Sequence, residues 1–244
     1  MSTIAIKQIR IGKRIFFVIM ASAVILTVFA GFAPTFYLRG SFPQDRPMSF
    51  LLHVHGIVFS AWVTVFLAQT LLIARGLRGL HQRLGWIAAG LAATMVVLVT
   101  AAMIEQLRRV GGFPPPPLAL ALSAFDIAVF AILVGAAIYL RKHPDWHKRF
   151  MLSATILLLG APMFRFVIHY VGITDMSRVG IVSTLLVDAF FLPCVAYDLM
   201  TRRRIHPAYF VALALIVLDQ IAQVTVVTWQ PWINLSMTLQ RLVA

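Results

Sequence analysis

The chain has 244 residues, of which 61% are hydrophobic and only 12% charged, and its mean hydropathy is +0.90. A soluble domain is nearer half apolar and a quarter charged. Too little polar surface is present to coat a water-soluble globule, so the composition points to an integral membrane protein whose main partner is the lipid bilayer. The 21 Lys+Arg against 8 Asp+Glu leave a net charge of +13. In a soluble chain that excess would suggest nucleic acid, but these basic residues lie in short loops between apolar runs, so no nucleic-acid partner is expected. The single cysteine, Cys194, falls inside an apolar run and excludes both a disulfide framework and a cysteine metal cluster.

A membrane-crossing helix needs about 20 mostly apolar residues. Seven runs qualify in chain order: Ile15–Tyr37, Phe50–Ala74, Leu84–Met103, Leu118–Leu140, Phe150–Val171, Val179–Met200 and Tyr209–Trp229. The expected fold is therefore all-α, a single seven-helix membrane domain over residues 1–244, with residues 50–171 as its core. The first run reads as a retained helix, being too long for a leader's apolar core and lacking a small-residue cleavage site. Turn-rich breakers separate the spans at Gly40 to Pro47, at Gly111–Gly112 with Pro114 to Pro117, and at Ile205 to Pro207. Gly160 and Pro162 predict a kink inside the fifth span. The last stretch, Gln230 to Ala244, reads as a short amphipathic tail.

Orientation follows from where Lys and Arg fall. The N-terminus and every second loop hold Lys7, Arg10, Lys13, Arg14, Arg75, Arg78, Arg83, Arg141, Lys142, Lys148, Arg149, Arg202, Arg203 and Arg204, fourteen charges in all. The opposite loops and tail hold six, and Arg165 lies inside a span. This asymmetry predicts a cytoplasmic N-terminus and an outer C-terminus, in the inner membrane of a bacterium.

Ionisable side chains within a span are costly unless paired or hydrated, so each is a functional candidate. The second span carries His53, His55 and Gln69, the fourth Asp126, the fifth Arg165 and His169, the sixth Asp188, and the seventh Asp219, Gln220 and Gln223. At about 100° per residue, His53 and His55 point to nearly opposite sides, so only one of them can face a given site. On the fifth span His147, Ala154, Leu158, Arg165 and His169 share one face. The 22 residues between the two histidines span roughly 33 Å at a helical rise, which presents one imidazole near each membrane face. The structural alternative is that Arg165, Asp126, Asp188 and Asp219 neutralise one another and hold the helices in register.

Two spans open alike, with "LHQRLGW" at the third and "WHKRFML" at the fifth. His81 and His147 thus each begin the second helix of a hairpin, which predicts an internal repeat of the 2–3 and 4–5 hairpins. Together with "HVHG" opening the second span, these phrases resemble a bacterial family of multi-span predicted membrane proteins of unknown function, over about residues 50–170. The pattern is more distantly similar to the di-haem b-type transmembrane cytochromes, whose histidines sit in pairs near the two faces of a helical bundle.

Three readings follow. A b-type cytochrome-like redox protein would hold haem b between His81 and His147 on the basic side and between His53 or His55 and His169 on the other, with Arg165 neutralising a propionate. Its partner would be a quinone or another small redox molecule. A membrane zinc hydrolase would instead draw on His53, His169, Asp126, Asp188 and Asp219. A proton-coupled carrier would use the buried aspartates and Arg165. A retinal receptor is excluded, because the seventh span has no lysine to form a Schiff base.

Overall fold

The computed structural model describes residues 3–43, 47–108 and 115–243. Ten α-helices make up the described chain: α1 Thr3–Phe32, α2 Phe50–Ala74, α3 Arg78–Leu107, α4 Pro116–Tyr139, α5 Pro144–Leu157, α6 Gly160–Phe166, α7 Met176–Ala189, α8 Phe191–Arg202, α9 Pro207–Val226 and α10 Gln230–Val243. Six candidate spans are long and apolar enough to cross a membrane, α7 and α8 together forming one of them. The bent pair α5–α6 makes a seventh when counted as one crossing. The protein is thus an all-helical, multi-pass membrane protein.

The helix boundaries have local causes. Ser49 caps α2 by accepting from Leu52 N at 3.2 Å, and Asp175 caps α7 by accepting from Arg178 N at 2.8 Å. Prolines open α4, α5 and α9, where the missing N–H has no partner to lose. Gly76 and Gly172 take the left-handed conformation, φ +80° and +76°, that ends α2 and the α6 segment. Pro162 cannot donate to the Leu158 carbonyl and crowds it. The chain accordingly breaks between α5 and α6 and bends by 41°. His147 and His169 therefore do not share one straight helix face, because the bend and a π turn over Val167–Val171 intervene.

Around this break the bundle is organised on α5. Leu152, Ser153, Ala154, Thr155 and Ile156 are completely buried, a helix enclosed on all sides as only a central element can be. α1, α4 and α9 pack around it, α2 and α3 continue outward from α1 and α4, and α6 runs on against α1 and α7. The outward faces of the bundle are apolar, with Leu26, Ile57, Trp86, Val97, Leu185 and Val224 exposed, as a lipid solvent requires. Hydroxyls inside the spans bond back to their own helices, as Ser60 does to Gly56 O at 2.6 Å and Thr155 to Met151 O at 2.8 Å. The tail forms the amphipathic helix α10, pinned by Trp232 Nε1 donating to Pro117 O at 2.9 Å.

Candidate functional site

Polar residues gather at three levels of the bundle. At the basic end, His81 in the first turn of α3 meets His147 in the first turn of α5. Their ring centroids lie 6.2 Å apart with planes at 86°. His147 Nδ1 lies 2.8 Å from the Ala137 carbonyl, so Nδ1 carries the proton and Nε2 keeps its lone pair. The His81 ring lies against the main chain of Gln69, and its Nδ1 is buried without a hydrogen-bond partner. Gln69 Oε1 is likewise buried and unpartnered. Gly85, one turn beyond His81, leaves room: a Cβ there would meet only Gln69 Nε2, at 3.6 Å.

Beside this pair stands an ionic network. Arg149 (1% exposed) donates from Nε to Asp198 Oδ2 at 3.0 Å and from Nη2 to Asp198 Oδ1. Asp198 Oδ2 also accepts from His206 N at 2.9 Å. Arg149 Nη1 donates to the Asp145 main chain at 2.9 Å, and Asp145 Oδ2 accepts from Arg202 at 2.9 Å. Lys148 pairs with Asp145 Oδ1 at 2.6 Å. His206 Nδ1 accepts from Ala208 N at 3.1 Å, capping α9. Burial and the nearby Arg149 and Arg202 charges push the His206 pKa below its usual range.

Further along the bundle, Gln223 Nε2 donates to Asp126 Oδ1 at 2.8 Å and to Asp219 Oδ2 at 2.9 Å. The two carboxyl groups lie within hydrogen-bonding reach of each other across α4 and α9. Asp219 Oδ1 is buried with no donor among the described groups. Asp188 takes a separate partner, accepting from Gln220 at 3.0 Å.

Toward the opposite end the histidines stand apart. His53 is exposed, with Nδ1 2.8 Å from Ser49 O and its ring 6.4 Å from that of Phe36. His55 stacks on Phe59 at 4.3 Å and keeps Nδ1 buried and unpartnered. His169 is exposed, and no ring contact joins it to either His53 or His55 among the described residues. Arg165 lies 4.8 Å over the Phe32 ring, donates to Ala161 O at 3.0 Å, and is near enough for its charge to act on His55.

The structure brings His81 beside His147 and Asp126 beside Asp219 through Gln223, but Arg165 does not join the aspartates as a neutralising partner. The set His53, His169, Asp126, Asp188 and Asp219 is dispersed, and no group of three or more His, Cys, Asp or Glu is placed to hold a metal ion among the described residues. Sequence reasoning missed Asp198 and Asp145. Asp198 lies within the sixth expected span, where the rule that marks Asp188 marks it equally. Arg149 was legible only as a topological charge, although it is buried and paired. No family model, curated protein or solved structure matches the chain.

Proposed function

We propose that this membrane protein is redox-linked and holds one b-type haem at its basic end, between the imidazoles of His81 and His147. The spacing of the two rings carries the reading. His81 and His147 would hold the haem iron through their imidazole nitrogens, which requires the two rings to come close together from neighbouring helices. The two ring centroids lie 6.2 Å apart, and this proximity is what supports the reading. His147 donates its Nδ1 proton to the Ala137 carbonyl, which orients the ring and raises the basicity of Nε2. Gly85 keeps the space beside His81 free of a side chain. When bound, the haem supplies one-electron transfer, and a membrane quinone is the partner this location favours. The fourteen cations on one side support reading the basic end as the cytoplasmic face of a bacterial inner membrane.

An optical spectrum tests this. Protein expressed with added haem precursor should show a Soret band and sharpened α and β bands on dithionite reduction. His81→Ala and His147→Ala should abolish the signal, whereas His53→Ala and His169→Ala should leave it intact. Colourless wild-type protein, or a signal indifferent to both replacements at the basic end, overturns the proposal.

A second reading is favoured by the Asp126–Gln223–Asp219 cluster, which suits a proton-coupled carrier. Dicyclohexylcarbodiimide attacks protonated carboxyls in apolar surroundings. Its adduct should map by peptide mass to Asp126 or Asp219 and vanish in Asp219→Asn. No adduct at either residue removes this reading.

A further inference from the structure

Arg165 is a cation inside a span with no ion pair among the described residues. It sits within the α5–α6 crossing, donates to its own helix at Ala161 O, and has no carboxylate partner among the described residues. Phe32 covers one face of the guanidinium, and the buried, unpartnered Nδ1 of His55 lies on the second span within reach of its field. A charged side chain in hydrocarbon is expensive unless paired or drawn to the interface. Seven residues separate Arg165 from Gly172, where the helix ends, about 10 Å at a helical rise. The side chain is folded back onto Ala161 O; swung toward Gly172 instead, a long arginine can cover much of that depth and meet the phosphate layer of the leaflet opposite the basic end.

An apolar groove of about 250 Å³ between α1 and α6 is lined by Leu26, Thr27, Ala30, Met163 and Phe166; Phe166 follows Arg165 in the chain, and Ala30 lies two residues before Phe32, the ring the guanidinium covers. Its α1 residues precede Phe32, so the groove runs from the arginine toward the bilayer middle. It exists because Gly31 seats α1 directly on the Pro162 carbonyl. A Cβ at Gly31 would clash with that oxygen, and the chain bends at Pro162 alongside. A cationic group and an apolar groove set on the same two helices complement the phosphate and the acyl chain of an anionic phospholipid.

We infer that Arg165 and the α1–α6 groove form a site for an anionic phospholipid of the leaflet opposite the basic end. The guanidinium binds the phosphate, His55 offers a second polar contact, and one acyl chain occupies the groove. This site is separate from the His81–His147 pair and stands whether or not haem binds there.

Native mass spectrometry of delipidated protein in detergent tests the inference, with dioleoyl-phosphatidylglycerol as the probe. Wild type should retain one lipid at a concentration at least about 10-fold lower than Arg165→Gln does, the difference expected for losing one charge-assisted contact. Arg165→Lys should fall between them. Ala30→Leu, which fills the groove and keeps the charge, should weaken retention about as much as Arg165→Gln, with thermal melting of each variant showing that the fold persists. Diacylglycerol, which lacks the phosphate, and glycerol phosphate, which lacks the tail, should both fail to compete. Equal retention by wild type and Arg165→Gln overturns the site. So does effective competition by glycerol phosphate, by diacylglycerol, or by a long-chain quinone that displaces the lipid.

Discussion

Replacing Asp198 by Asn leaves Arg149 charged inside the protein, 1% exposed, with its bidentate partner neutralised. Removing one member of a buried ion pair typically costs about 3–5 kcal/mol, because the remaining charge is neither solvated nor paired. Here the lower end is expected, since Arg149 keeps the Asp145 carbonyl at 2.9 Å and the Asp145 carboxylate at 3.3 Å. The amide oxygen of Asn can still accept from His206 N. A loss of about 3 kcal/mol corresponds to roughly a 100-fold fall in the folded-to-unfolded ratio. Equilibrium unfolding in mixed micelles with a rising fraction of sodium dodecyl sulfate, followed by far-ultraviolet circular dichroism, measures it. The double variant Arg149→Met, Asp198→Leu removes both charges and should recover most of the loss. Asp145→Asn, whose carboxylate is 48% exposed, should cost less than about 1 kcal/mol. A penalty below about 1 kcal/mol for Asp198→Asn, or a double variant no more stable than the single one, would refute the reasoning.

Further outcomes follow from the same contacts. His206 caps α9 only while Nδ1 keeps its lone pair, and burial beside Arg149 and Arg202, outweighing Asp145 and Asp198, holds its folded pKa down. The unfolded chain then binds the proton more readily. Stability should be complete above the unfolded pKa of about 6.5 and decline as pH falls below it. His206→Asn, which can cap without titrating, should flatten that part of a melting-temperature profile between pH 8 and 5; an unchanged slope contradicts this account. Gly31→Ala must push α1 off the Pro162 carbonyl and should cost about 1–3 kcal/mol. Gly90→Ala, with nothing within 4 Å of its added carbon, should be neutral or stabilising, and unfolding midpoints that do not separate the two would show the α1–α6 contact to be loose.

Much of the architecture was legible in the linear chain, and each legible part rests on a local cause. The spans follow from runs of apolar residues, the break in α5–α6 from Pro162, and the amphipathic tail from the alternation in Gln230 to Ala244. His81 and His147 could be paired in advance because each opens the second helix of a short-looped hairpin, which sets both at one depth. The opposite end could not be read this way. His53, His55 and His169 share a depth, but which ring faces which neighbour depends on helix rotation, and the 41° bend and π turn reset that rotation for His169.

Membrane insertion is an additive property of consecutive residues, each contributing its own transfer free energy to the bilayer, so the primary structure alone determines where the apolar spans lie, though not the break between α7 and α8 within the sixth of them. Pairing between helices has no such additivity. Whether Arg149 is a topological charge or the buried partner of Asp198, and whether Asp126 meets Asp219 or Asp188, depends on a few ångströms and tens of degrees between segments far apart in the chain. Only packing around α5 decides those, because the hydrogen bonds that compensate desolvated charges and carboxyls form only at contact distance and in a narrow range of angles.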